Sequence, residues 1–321
     1  MTTRAAVIHS RGYACDIGPH VFPVAKFRLV RDRLVAEGLV AAGEILDPAP
    51  ATREELLLVH TPEYLDDLGR LCWTARTMYS ELPLEHDIVR AYILAAGGTT
   101  LAAREALTRG AAVNLGGGFH HAGPDRAEGF CYINDLAVAV RVLQREGRVR
   151  RAAVVDLDVH QGNGTAHVFE GDSTVFTLSL HQENNYPSPK AHSSLDVGLD
   201  DRTGDEEYRA RLDEALATVW SFTPDLVLFQ AGADPYRDDQ LGGLSLTLEG
   251  LEARDRAVLD GCAERGIPVA ATLGGGYARQ LEDTLRIHVG TCRRVLAREG
   301  LLPPAPAMGG SRPAGFTGER A

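Results

Sequence analysis

Short apolar runs recur along this chain at Ala111 to Leu115, Ala152 to Leu157, Val175 to Leu180, Leu226 to Gln230 and Val269 to Leu273. Each has the length and near-continuous hydrophobicity of a strand buried on both faces. The stretches between them, notably Asn134 to Gly147, Asp205 to Phe222 and Thr247 to Gly266, carry apolar residues at helical spacing and end near glycine or proline. Strand and helix in alternation predict right-handed βαβ crossovers, and so an α/β fold with a mostly parallel central sheet and helices on both faces. Upstream, Val24 to Gly38 and Glu85 to Gly110 read as helices, with Gly97-Gly98 the place for a bend, and Ala5 to His9 reads as an edge strand. No internal repeat or serine- and glycine-rich linker divides the chain, so residues 1–302 are expected to form one domain. From Pro303 to Ala321 four prolines and four glycines accompany few large apolar residues, the composition of a flexible tail.

Composition narrows the class. Of 321 residues, 44% are hydrophobic and 24% charged, enough apolar surface for a large core. The net charge of −11 opposes contact with a nucleic-acid backbone and favours cationic small molecules or basic peptide segments as partners. Cys15, Cys72, Cys131, Cys262 and Cys292 lie far apart with no C-x-x-C pair, which points to reduced thiols. Met1 to Tyr13 lacks the apolar core of a signal peptide, and no segment approaches the roughly 18 uninterrupted apolar residues of a membrane span. A cytoplasmic protein without membrane contact is expected.

Residues able to do chemistry crowd just after the predicted strands: Gly116 to His121, Asp158 to His160, Asp234, and Gly274 to Tyr277. In a parallel sheet these are carboxyl ends, where open α/β proteins place their sites. Within Asp156-Leu157-Asp158-Val159-His160 an extended backbone turns two carboxylates and an imidazole to one side and two apolar residues to the other. Alone, that segment suits a hydrogen-bonded strand end as well as a cation. With Asp234 arriving from a neighbouring strand, Asp158, His160 and Asp234 make a three-ligand site with room for water and substrate, as in catalytic zinc centres, and one equally suited to Fe(II), Co(II) or Mn(II). His120 and His121 follow three glycines, with Asp156 and Asn163 available as different partners, so the two imidazoles can take different roles. Tyr277, also after three glycines, is a candidate hydroxyl donor. Neither glycine triplet has the G-x-G-x-x-G spacing, and no Walker loop is present, so nucleotide binding is not supported.

Asn114 to His121, Gly129-Phe130-Cys131-Tyr132, Asp156 to Gly164, Gln230 to Asp234 and Gly274 to Tyr277, in this order, resemble the zinc-dependent histone deacetylase superfamily. The likeness runs from about Asp16 to about Arg298. Gln161, where many members have a second histidine, and Gly18 to Pro23 make the class IV branch and its bacterial relatives the most similar.

The resemblance implies an arginase-deacetylase fold and hydrolysis of an acyl amide on a lysine-like amine, acetyl or longer fatty acyl, the latter being the class IV preference. It implies Asp158, His160 and Asp234 as ligands of zinc, with Fe2+ or Co2+ as substitutes, and His120, His121 and Tyr277 as catalytic groups supported by Asp156 and Asn163. It also implies a structural K+ at Asp156 and Ser179 with the carbonyls of Asp158, His160 and Leu180. Gly129, Phe130, Tyr186, Leu241, Gly275 and Gly276 are the expected substrate channel. The expected partner is an acyl-lysine peptide or acylated small amine; an acetylpolyamine deacetylase and a non-catalytic acyl-lysine binder are the alternatives.

Overall fold

The computed structural model describes residues 5–297, so the tail expected at 303–321 and the final residues assigned to the domain lie outside it. Among the described residues the chain runs β1 (Ala6–Ile8), α1 (Lys26–Ala36), α2 (Arg53–Leu56), α3 (Pro62–Gly69), α4 (His86–Arg109), β2 (Ala111–Asn114), α5 (Asp135–Arg145), β3 (Ala152–Asp156) and α6 (Asn163–Phe169). It continues through β4 (Val175–Gln182), β5 (Leu195–Leu199), α7 (Asp205–Ser221), β6 (Leu226–Gln230), α8 (Leu248–Glu264), β7 (Val269–Thr272) and α9 (Leu281–Leu296). The strands form one sheet in the order β1-β2-β7-β6-β3-β4-β5, with every pairing parallel. None of the described helices is long and apolar enough to cross a membrane.

Residue parity sorts the core into two layers. Ala112, Val154, Leu228 and Ala270 pack with the buried faces of α3, α4 and α5. Their odd-numbered neighbours Val113, Val155, Phe229 and Ala271 pack with α1, α7, α8 and α9. In these four strands the apolar runs are covered on both sides, and helices pack on both faces because neither face of them carries a polar stripe.

At the carboxyl ends this apolar regime stops along one line. Asn114 is register partner to Thr272, Thr272 to Gln230, Gln230 to Asp156, and Asp156 to Ser179, so a row of polar side chains crosses five adjacent strands. Buried polar groups must be paired. Thr272 donates to Gln230 Oε1 at 2.7 Å, Gln230 Nε2 to the Gly118 carbonyl at 2.8 Å, and the Tyr13 hydroxyl to Asn114 Oδ1 at 2.8 Å. The row is the floor on which the site loops stand.

Gly97-Gly98 does not interrupt α4. Its glycines admit neighbours at close quarters: a Cβ at 97 would collide with the Ala49 carbonyl, and one at 98 with the Tyr13 hydroxyl and the Asn114 amide. The pair thus lets α4 lie against the residue that braces one end of the polar row.

Candidate active site

The turn after β2 presents the histidine pair. Asp135, at the start of α5, accepts from the backbone N–H groups of Gly118 at 2.9 Å and Phe119 at 2.7 Å, pinning the turn from the helix. Asn134, capping the same helix through Ala137 N at 3.0 Å, donates to the Ala122 carbonyl at 3.1 Å. His120 and His121 leave this clamp with ring centroids 4.1 Å apart and different partners. His120 Nδ1 lies 2.6 Å from Asp156 Oδ2, whereas His121 Nδ1 lies 2.7 Å from Asn163 Oδ1. Burial disfavours charge on both rings. At His120 the carboxylates of Asp156 and Asp158 outweigh burial and raise its pKa to about 9. At His121 burial wins, reinforced by His120 and His160, and holds the ring well below the ordinary imidazole value.

Beyond β3, Leu157 and Val159 enter the helix-covered core while Asp158 and His160 turn the other way. Asp158, His160 and Asp234 are all buried, and each offers one ligand atom within 4.8 Å of the others. His160 Nδ1 is 3.0 Å from Asp158 Oδ1 and 3.5 Å from Asp234 Oδ2. Asp234 Oδ1 accepts from Val159 N at 2.9 Å, but its Oδ2 is buried without a hydrogen-bond partner. Burial, with the Asp158 charge added, raises Asp234; Asp158 is itself held below the carboxylate range because His120 and His160 outweigh its burial. A Cβ at Gly275 would collide with the carboxylates of both Asp158 and Asp234, so only glycine leaves the space among them open. Two carboxylates and an imidazole aimed at an open space fit a divalent transition metal.

Arg254 of α8 braces the ligand segments from the opposite layer. Fully buried and paired with Asp255 at 2.8 Å, it donates to the Gly232 carbonyl and lies 3.4 Å from that of Leu157. Arg254 falls on the apolar stripe of α8, three residues after Leu251 and four before Val258, so the helical spacing points it inward, while its charge gives no hint of what it meets there.

Two cavities share His121, His160 and Tyr277 in their walls. A channel of about 190 Å³ is lined by Glu81, His121, Phe130, Asn185, Tyr186, Leu241 and others, with His160 and Tyr277 at its inner end. A cavity of about 20 Å³ lies further in, among Phe22, Lys26, Phe27, His120 and Gly275. Of the residues expected in the channel, Gly129, Phe130, Tyr186 and Leu241 line it and Gly275 lines the inner cavity. Gly276 lines neither; a Cβ there would meet Thr284, Ala233 and His288. Tyr277 borders both spaces, its ring centroid 6.4 Å from that of His160. Ser179, expected at a potassium site, adjoins Asp156 in register, and its hydroxyl lies 3.0 Å from His181 Nδ1.

Four residues were not anticipated in these places. Glu81 puts a carboxylate in the channel lining. Lys26 is buried, its ammonium donating to the Gly275 carbonyl, and burial lowers its pKa to about 8. Glu128 Oε1 accepts from Asn163 Nδ2 at 2.7 Å and from the Tyr186 hydroxyl at 3.0 Å. Asp239, two residues before Leu241, turns inward to accept from Tyr277 N at 2.6 Å, Leu241 N at 2.8 Å and Gly242 N at 2.9 Å. Burial and Asp234 raise it to about 7. Contacts of this kind, made across long stretches of sequence, become legible only once the fold is closed.

Residues 20–292 match the family described as the Histone deacetylase domain. An uncharacterised protein of Picosynechococcus is 43% identical over 272 residues, 84% of this chain and 90% of its own length. Histone deacetylase 2 of Arabidopsis thaliana is 31% identical over 319 residues, covering 95% of this chain and 81% of that protein. Among solved structures, a histone deacetylase homologue from Aquifex aeolicus superposes with a TM-score of 0.79 at 27% identity, over 91% of this chain and 84% of that one.

Proposed function

The chain belongs to the histone deacetylase family, a family of hydrolytic deacetylases, and from that premise we propose that it removes a short acyl group, acetyl first, from the ε-amine of a lysine side chain. The observation that carries this reading is the channel, whose Phe130, Tyr186 and Leu241 offer apolar walls to an aliphatic stem, while His121, His160 and Tyr277 wait at its inner end. The inner cavity of about 20 Å³ supports acetyl over a fatty chain, because such a space holds little more than a water-sized group. That favours a shorter acyl group than the class IV resemblance implies.

Asp158, His160 and Asp234 would hold the divalent metal, zinc in the first instance. When bound there, such a cation supplies Lewis acidity toward the amide carbonyl and lowers the pKa of water to ~7. Each remaining task falls to the chain itself. His121, kept neutral by its burial, accepts a proton from the attacking water as the water oxygen bonds to the carbonyl carbon. It returns that proton to the amine nitrogen as the C–N bond breaks, giving a carboxylic acid and an amine, and the acid's remaining proton passes to the amine so that a carboxylate and an ammonium leave. The Tyr277 hydroxyl donates to the carbonyl oxygen as negative charge develops there. His120, charged through its contact with Asp156, favours that same charge from a fixed position. Asp156 and Ser179, with the carbonyls of Asp158, His160 and Leu180, are proposed to hold a structural potassium ion.

Glu81 favours a second reading, in which the substrate carries another cationic amine outside the channel, as an acetylpolyamine does. Metal-reconstituted protein assayed against acetyl-lysine peptides, fatty-acyl-lysine peptides and acetylated polyamines tests the two. The expected order of kcat/KM is acetyl-lysine first. A specificity constant much higher for acetylspermidine or acetylputrescine would overturn the lysine reading.

A further inference from the structure

Asn163 stands between two unlike partners. Its Oδ1 is 2.7 Å from His121 Nδ1 and its Nδ2 is 2.7 Å from Glu128 Oε1. The two ends of a carboxamide have nearly the same shape but opposite chemistry, since oxygen only accepts and nitrogen only donates. Left to itself, the amide could face His121 with either end. A carboxylate removes that freedom because it accepts only. Glu128 is in turn fixed by the Tyr186 hydroxyl, which donates to the same Oε1 at 3.0 Å, and by Arg126 Nε, 3.3 Å from Oε2. With the NH2 end committed to Glu128, the amide oxygen must face His121 Nδ1. That nitrogen then carries the hydrogen, and in the neutral ring the lone pair falls on Nε2. The flipped amide would demand the lone pair on Nδ1 and leave Nε2 protonated, unable to take a proton from anything in the channel.

We propose that Glu128 is a positioning residue which, by orienting Asn163, locks His121 in the tautomer whose Nε2 is free to accept a proton. The proposal rests on the reading of His121 as proton carrier, but the first readout does not. In protein labelled with 15N-histidine and loaded with zinc, long-range 1H–15N spectra report which nitrogen of each imidazole is protonated. His121 is expected to bear its proton on Nδ1. Glu128→Gln keeps the shape but offers Asn163 both a donor and an acceptor, so the expected spectrum shows both tautomers. Turnover should fall on the order of tenfold, as for other groups that orient catalytic ligands at one remove, with KM, metal content and Tm little changed. Asn163→Asp sets two carboxylates against each other and should also lose turnover. The double variant restores the pairing in reverse, the new amide at 128 donating to the new carboxylate at 163, which still accepts from His121. It should recover turnover above either single variant, a coupling that independent structural damage would not produce. An unchanged single tautomer in Glu128→Gln, or losses that simply add in the double variant, would overturn the proposal. A mixed tautomer with undiminished kcat would leave the lock standing and remove His121 from the role of proton carrier.

Discussion

His120 and His121 are adjacent in the chain, yet they belong to opposite electrostatic regions. On one side, Asp156, Asp158 and Asp234 gather three carboxylates at the ends of β3 and β6, and the pull of Asp156 and Asp158 raises His120 to about 9 against its burial. On the other, His121 meets the neutral amide of Asn163, and among the described residues no carboxylate within hydrogen-bond reach opposes its burial. On the proposed reading, negative charge is concentrated where the metal would be held and kept one residue further off where the proton-accepting imidazole would stay neutral. The amide of Asn163 is what separates the two regimes: it relays hydrogen bonding from Glu128 to His121 without carrying charge.

The contrast breaks most completely if the carboxylate side loses a ligand. Asp234→Ala should reduce bound metal from one ion per chain to near zero after dialysis, measured by elemental analysis, and reduce turnover to background. Two tightly bound divalent ions per wild-type chain would instead indicate that the carboxylate region serves a dinuclear centre.

Exchanging the two histidines' fates is the next test. His121→Ala should cost roughly 10²–10⁴ in kcat, the range for a general acid–base, and His120→Ala less. The reverse order would show that the charged ring, not the neutral one, carries the proton. The pH profile sharpens the same point. A base must be neutral to act, and burial lowers the pKa of His121 well below 6.5, so the acid limb of kcat/KM should lie below pH 6.5, not at it. Asn163→Asp would bring a carboxylate to the ring and move that limb upward.

Tyr277 borders both the channel and the inner cavity. Tyr277→Phe should retain metal and leave KM little changed while lowering kcat roughly 10²–10³, the cost of one oxyanion donor. A loss confined to KM would mean that the hydroxyl binds substrate and does not stabilise developing charge.

How much of this was readable before the fold closed depends on where each residue's partners come from. The strands β2, β3, β4, β6 and β7 announce themselves because both faces are covered and apolar residues dominate each run, even in β4 where Thr177 and Ser179 interrupt it. β5 does not: its Asp196 and Gly198 are exposed at the sheet edge, and the pattern that identifies a doubly buried strand is missing. Asp158, His160 and Asp234 are legible because each follows a strand, so topology alone carries them to one rim. Glu128 and the inward turn of Asp239 are not, since nothing local distinguishes a loop carboxylate drawn into the site from one that stays in water; Lys26 and Arg254 do fall on the apolar stripes of α1 and α8, but the sequence does not say what they meet there. Their roles depend on contacts across 35 residues in the case of Glu128 and 249 in that of Lys26. Proximity in sequence would mislead at Asp239: two residues before Leu241, it serves the backbone of the loop, and the acid that lines the channel is Glu81.

Glu81 therefore carries the smallest and most discriminating effect. It is exposed, so its attraction for a cation is screened by solvent, and interactions of this kind change affinity by no more than about fivefold. Glu81→Gln should lower kcat/KM for a basic acetyl-lysine peptide by that much or less, and the difference should fade as salt shortens the range of the interaction. For an acetyl-lysine substrate without other charges the variant should be neutral, because the apolar stem meets Phe130, Tyr186 and Leu241, not the carboxylate. An acetylpolyamine places its second ammonium outside the channel and depends on that one charge more heavily. If Glu81→Gln cost acetylspermidine far more than tenfold while sparing lysine peptides, the carboxylate would be reading the substrate's far amine, and the apolar wall at Leu241 would cease to define what this channel accepts.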